Sequence, residues 1–176
     1  MVQMAYSYRQ PLGRAGHVSR FHPSAVIEPG MLDPAIANAL WMWGQAVLVG
    51  ANQLIRPVAP GDTAITDIYG VTVLPYPIQM TSAANYGAAP FGQSAIPPNG
   101  TIDIMRSGYI VVPIVGTPVK NGPVFVWVAA TAAPHVQGGF EAAATAGSTI
   151  QIAGTKTTFM GGADANYSVC ELAFNI

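Results

Sequence analysis

The fold is decided by residues 101–130, TIDIMRSGYIVVPIVGTPVKNGPVFVWVAA, which hold the longest β-branched and aromatic runs of the chain. Two runs of strand length, Tyr109 to Val115 and Val124 to Val128, lie on either side of the polar connector 116–123. This arrangement is typical of a β-hairpin. Both runs are apolar on both faces, so they need cover above and below, whereas a solvent-facing strand alternates. The stretch predicts a central hairpin in a sandwich or at a subunit interface. Its predicted core or oligomer-forming residues are Tyr109, Val111, Phe125 and Trp127.

The composition indicates one β domain with extensive buried surface. The chain has 176 residues, enough for one hydrophobic core, and carries 19 glycines and 15 prolines among many Val, Ile and Ala residues. Such a mixture favours many short strands joined by tight turns. Charged residues make up 9% of the chain, against roughly 25% in an ordinary soluble domain. We therefore expect large surfaces to be buried against copies of the chain or against another protein.

Residues 1–30 predict an extended N-terminal arm ahead of a single β domain at residues 31–176. Their apolar residues follow neither a helical nor a strand period, and the prolines bias the backbone towards extended geometry. Arginine and aromatic side chains make extensive contacts once ordered, so we expect the arm to bind the surface of another protein. The residues assigned to this binding are Arg14, His17, Arg20, Phe21 and His22. The alternative is a disordered terminus.

The segment after the arm predicts one short helix. Asp33 is a candidate N-cap, a proline follows it at the first helical position, and Gly44 comes just after the last one. Ile36, Leu40 and Trp43 would then share one face, which we expect to cover an open end of the sandwich or a neighbour's groove. The alternative is a loop.

Short apolar runs bounded by turn residues predict the remaining strands. These runs are residues 46–49, 53–58, 65–75 with a break at Gly70, 139–142, 149–152, 157–160 and 169–174. Residues 81–100 are poor in charge and rich in Ala, Gly and Pro, which predicts a long surface loop.

No residue pattern points to catalysis, a cofactor or a metal ion, so we expect neither an enzyme nor a bound cofactor. The histidines and aspartates lack the repeated short spacings of metal ligands, and there is no G-x-S-x-G and no phosphate-binding glycine loop. The net charge of -1 argues against a nucleic-acid partner. Polar residues interrupt the uncharged segment 34–55, so no membrane span is expected. Cys170, the single cysteine, is interpreted as a small buried hydrophobe.

Several short stretches resemble a known family. They are Pro11 to His17, Met105 to Tyr109, Lys120 to Val124, Thr158 to Asn166, and Glu171 to Ile176. Together they are similar to the structural cement, or decoration, proteins of tailed-bacteriophage capsids. The resemblance implies a mainly β fold of jelly-roll or related sandwich or barrel topology, and a homotrimer. It also implies a virion protein, made in the host cytoplasm, that binds the major capsid protein on the outer surface of the head and holds shell subunits together.

A second function stays open at this point, that of a β-sandwich receptor- or glycan-binding module of a phage fibre or spike. A glycan binder would present aromatic side chains beside polar ones in its loops. Asn85, Tyr86 and Phe91 in the long loop are the one group of this kind in the sequence.

Overall fold

The structure is a computed structural model that describes residues 14–20, 22–37, 41–64, 67–74, 100–152, 156–164 and 168–176. This part of the chain forms a mixed sheet of eleven strands that is not closed, consistent with a β-sandwich type of fold, so the predicted fold class is confirmed. The strands are β1 (Val18–Arg20), β2 (Val26–Met31), β3 (Ala46–Val49), β4 (Ile55–Pro57), β5 (Gly70–Val73), β6 (Thr101–Val115), β7 (Phe125–Trp127), β8 (Phe140–Glu141), β9 (Thr149–Gln151), β10 (Thr158–Phe159) and β11 (Val169–Phe174).

Strand β6 organises the sheet, because it pairs with five other strands along its 15 residues. Its first half pairs antiparallel with β2 and β5, its second half pairs antiparallel with β11 and β1, and its end pairs in parallel with β8. Ile104, Ile110 and Val112 on this strand are completely buried. Their β-branched side chains pack well on a pleated surface. The predicted strand is present, but it begins at Thr101 rather than at Tyr109.

The predicted hairpin is wrong, because β6 and β7 are not neighbours. Strand β8 lies between them: Ile114 of β6 pairs in parallel with Phe140, and Phe140 pairs antiparallel with Val126 of β7. The polar connector does turn, since Asn121 adopts a positive φ of 60°. The insertion of β8 gives β7 a partner on each edge, β8 and β9, and it buries the Phe140 side chain. Turn-forming residues indicate where the chain reverses. They do not indicate which later strand lies between the two strands that flank the turn.

The predicted helix does not form at Asp33. Asp33 Oδ1 accepts a hydrogen bond from the Ala35 amide at 2.9 Å, and the Asp33 amide donates to the Ile55 carbonyl at 2.9 Å. The aspartate therefore closes a local turn, a competing use of this side chain, while the neighbouring strand β4 holds the backbone. Trp43 is nevertheless buried, with 7% of its surface exposed. Among the described residues the one helical element is the 3-10 turn Asp62–Ala64.

Two clusters of buried hydrophobic side chains hold the sheet together. The larger includes Val112, Phe140, Phe159 and Phe174, and the smaller includes Leu32, Trp41, Trp43, Val47 and Ile104. No helix in the described ranges has the length and apolarity that a membrane crossing requires.

The described part of the predicted arm belongs to the sheet. Strand β1 pairs with β6 at Val18 and Ile110, and β2 pairs with β6 along its whole length. Gly16, with a φ of 85°, is packed so closely that an added Cβ would lie 2.9 Å from the Leu74 amide nitrogen. These residues are extended, but the boundary predicted at residue 30 does not separate them from the β domain. Other predictions fall outside the described residues, namely those on residues 1–13, Phe21, Leu40 and residues 81–99.

Candidate functional site

The predicted binding residue Arg20 is held by a buried carboxylate. Its Nε donates to Glu171 Oε1 at 2.7 Å and its Nη2 donates to Oε2, while the Ser19 hydroxyl donates to Oε1 at 2.6 Å. The Glu171 side chain is 7% exposed and the Arg20 side chain is 53% exposed. The hydrogen bond to Glu171 raises the pKa of Arg20 above its ordinary value. Because β1 and β11 pair with the same part of β6, this ion pair crosses over that strand.

Tyr109 of β6 joins two sets of predicted residues into one group. The Arg20 guanidinium carbon lies 5.1 Å from the centroid of the Tyr109 ring, and the His22 ring meets the same ring edge-on with centroids 5.7 Å apart. Both geometries are favourable for an electron-rich aromatic face. The sequence predicts Arg20 and His22 as arm residues and Tyr109 as a core or oligomer-forming residue, and the structure brings all three together on one surface.

The remaining predicted residues on this side have different roles. Val111 is completely buried, its carbonyl accepts from the Gly16 amide at 2.7 Å, and its amide donates to the His17 carbonyl at 2.8 Å. Val111 is therefore a core residue that also fixes the backbone of the Gly16 and His17 segment. Arg14 is exposed, and its side chain makes no hydrogen bond or ion pair within the described ranges.

Exposed apolar side chains are concentrated on β1 and β2. Of the six exposed large hydrophobic residues in the described part of the chain, four lie there: Val18 (41%), Val26 (48%), Ile27 (43%) and Met31 (57%). We call these four residues, together with Arg20 and His22, the β1–β2 surface. Strand β2 pairs with β6, and no second described strand pairs with its outer edge. Exposed apolar side chains and unpaired strand edges are both features on which other protein chains bind.

Polar contacts fix β2 in position beneath this surface. The Tyr69 hydroxyl donates to Glu28, Arg106 Nη1 donates to the Tyr69 carbonyl, and Arg106 Nε lies 3.4 Å from Glu28 Oε1. The Arg106 guanidinium carbon also lies 3.6 Å from the Tyr69 ring centroid. The hydrogen bond to Glu28 raises the pKa of Tyr69 above its ordinary value. These intramolecular contacts hold β2 in place without help from another molecule. The sequence gives no signal for them, because the three residues are far apart in the chain.

A cleft of about 530 Å³ lies at the other end of β6, among residues of β6, β8 and the segment before β11. Glu141 lines it and is 4% exposed, and Glu141 Oε1 lies 2.8 Å from Nδ1 of His135. The His135 ring in turn stacks on Trp127, with centroids 4.2 Å apart. Trp127 is buried and Phe125 is half-buried, and both lie on β7, so neither belongs to the β1–β2 surface. The sequence offers no signal for Glu141, because one glutamate in a short strand shows no pattern.

The titratable side chains in the described ranges do not gather into a metal site. No group of three or more His, Cys, Asp or Glu side chains suited to a metal ion occurs among them. Cys170 is buried, with its Sγ 3.2 Å from the Gly161 carbonyl oxygen. What these residues offer to another molecule is a contact surface that combines apolar side chains with fixed charges.

A comparison with known protein families shows to which family the chain belongs. The family described as structural cement protein (E217 gp24/Pam3 gp6) matches residues 2–175. The chain belongs to this family. Membership confirms the resemblance carried by the short sequence stretches and gives the cement protein a structural role in the phage capsid, where it binds capsid components. The fibre or spike alternative gains no support, and the loop residues on which it rests lie outside the described residues. No curated protein matches the chain.

Proposed function

We propose that the cement protein binds the outer surface of the phage head through its β1–β2 surface and stabilises contacts between major capsid proteins. The observation that carries this proposal is the concentration of exposed apolar side chains on β1 and β2, in a chain that belongs to a capsid cement family. Monomeric proteins seldom leave such a patch uncovered, so it is the part of the described surface best suited to a permanent partner.

The size of the patch indicates a modest contact. Complete burial of one Val, Ile or Met side chain contributes roughly 1.5–3 kcal/mol, so covering the exposed half of four of them contributes about 3–6 kcal/mol. Association itself costs a comparable amount. One β1–β2 surface alone therefore binds weakly. In a trimer, binding of one surface raises the effective concentration of the other two at the shell. This is the reason that we propose a homotrimer as the functional form.

The predicted arm residues contribute to this surface in two ways. Arg20 is already paired with Glu171, so it presents a fixed edge of its guanidinium rather than an unpaired charge. Arg14 is exposed and has no ion-pair partner among the described residues, so it can supply a charge to an acidic group on the shell. His17 and His22 flank these arginines, and Phe21 is proposed to act with them.

Co-sedimentation with capsids that lack cement protein tests the proposal. The wild-type protein should bind stoichiometrically, whereas Ile27→Ser combined with Met31→Ser should weaken binding about 10- to 100-fold, because two apolar contacts are lost. Val119→Ser is the matched control, since Val119 is 62% exposed and lies outside the β1–β2 surface. Equal binding by the double variant and the control would show that β1 and β2 do not face the shell.

A further inference from the structure

The cleft at the end of β6 contains a carboxylate of which one oxygen has a partner among the described residues. Glu141 has a side chain that is 5% exposed, and its Oε1 contacts Nδ1 of His135 at 2.8 Å. Its Oε2 has no hydrogen-bond or ion-pair partner among the described residues. In the same part of the chain every fully buried side-chain oxygen has a partner, so Oε2 must be reached from outside. Since Glu141 lines the cleft, the cleft is the opening through which it is reached.

The surroundings of this oxygen favour a positive charge. The cleft is lined largely by apolar residues, including Pro113, Val115, Phe140 and Ala163, and neither lysine nor arginine is among the described residues that line it. A carboxylate in such a recess is poorly solvated, and a charge-assisted hydrogen bond there is stronger than one on an open surface. The stacking of His135 on Trp127 keeps the imidazole on Oε1 and leaves Oε2 available.

We propose that this cleft receives a lysine or arginine side chain from a neighbouring protein subunit of the capsid. Its aliphatic stem packs against the apolar walls and its cationic head binds Glu141 Oε2, which is how long basic side chains distribute themselves between apolar and polar surroundings. A bare metal ion fits less well, because it requires several oxygen ligands and the described residues contain no group of three. The inference rests on the proposed function, since the donor of the side chain is a subunit of the shell.

The position of the cleft supports a role in joining subunits. Met31 of the β1–β2 surface pairs with Thr101 at one end of β6, whereas the cleft is reached at Ile114 near the other end. Strand β6 bends between them, since Gly16 hydrogen-bonds both Val111 of β6 and Leu74, the residue after β5. No residue that lines the cleft belongs to the β1–β2 surface. Two separate contacts allow one cement protein to hold two different shell subunits.

The first test compares Glu141→Gln with Asp67→Asn in binding to capsids that lack cement protein. Both substitutions remove one negative charge with little change in shape, but Asp67 is exposed and lies outside both the cleft and the β1–β2 surface. Glu141→Gln should weaken binding about tenfold or more and reduce its salt dependence, while Asp67→Asn should change it less than about twofold. Equal binding by the two variants overturns the inference and leaves the proposed function standing. If the wild-type protein fails to bind capsids, the proposed function itself fails.

A second pair of measurements covers the case in which Glu141→Gln does not fold. Ala163→Lys places a cation in the cleft with Glu141 unchanged, and it should block capsid binding to a similar extent. Titration of the full-length protein with N-acetylarginine methylamide, followed by NMR, should shift the amide signals of Phe140 and Ala163 in a saturable manner. N-acetylnorleucine methylamide, which lacks the charge, should shift them much less. Equal shifts by the two probes, or normal capsid binding by Ala163→Lys, overturn the inference.

Discussion

Replacement of Arg20 by alanine tests whether the N-terminal residues are part of the folded sheet. The substitution removes both hydrogen bonds to Glu171 and leaves its carboxylate, 7% exposed, with only the Ser19 hydroxyl. Breaking a fully buried ion pair costs about 3–5 kcal/mol, whereas an exposed pair contributes about 0–1 kcal/mol. Arg20 is 53% exposed, so water can replace part of what is lost.

We therefore expect Arg20→Ala to lower the free energy of unfolding by about 2 kcal/mol, between these two limits. For a domain of this size that corresponds to a fall in melting temperature of about 4–8 °C. Urea denaturation and calorimetry would measure both quantities. Arg14→Ala is the matched control, because Arg14 is exposed and its side chain has no partner among the described residues, so it should leave stability unchanged.

A double-mutant cycle separates the ion pair from other effects of losing Arg20. In a Glu171→Gln background the unpaired charge is gone, so Arg20→Ala should cost less than about 1 kcal/mol. If Arg20→Ala costs the same in both backgrounds, or less than about 0.5 kcal/mol in the wild type, then the ion pair does not stabilise the sheet and the N-terminal strands are held by other contacts.

Three further outcomes follow from the same contacts. Trp127→Ala should destabilise the protein by about 3–5 kcal/mol, because it empties a buried site beneath the His135 ring; a melting temperature that barely moves would contradict this. The hydrogen bond from Arg56 lowers the pKa of Asp62, so this pair's stabilisation is present above the unfolded pKa of about 3.9 and is lost as the pH falls through the lower folded value. Acid titration of Asp62→Asn should show a smaller loss of stability below about pH 4 than the wild type. Removal of residues 1–30 should lower the melting temperature markedly, since it deletes β1 and most of β2, whereas an independent arm would leave it unchanged.

Local sequence signals predicted several strands well but did not predict how they pair. Residues 46–49 and 169–174 form strands with the predicted bounds, because in each case a short apolar run is limited by turn-forming residues. The hairpin failed because the strand between β6 and β7 is the two-residue β8, which follows β7 in the chain and pairs in parallel with β6. The helix at Asp33 failed because an aspartate closes a turn as readily as it caps a helix.

For the β1–β2 surface, too, the residue types could be predicted but their contacts could not. Arg20 and His22 were identifiable as residue types suited to binding, yet nothing in the sequence relates them to Tyr109, because that contact depends on the register of β1 on β6. The exposure of Ile27 and Met31 likewise depends on which face of β2 is covered by other parts of the described chain. Glu141 is found only through its burial and its contact with His135.

The pairing of β6 with five strands has a mechanical consequence for a protein proposed to hold shell subunits together. A force along the axis of either half of β6 is transmitted directly by its covalent backbone. The ladder hydrogen bonds to β2 and β11 run perpendicular to that axis, so they are loaded in shear and must yield together. A force applied across the strands would instead separate the same bonds one after another. Each half of β6 should therefore be stiffest under tension along its own axis and weakest under peeling at right angles to it.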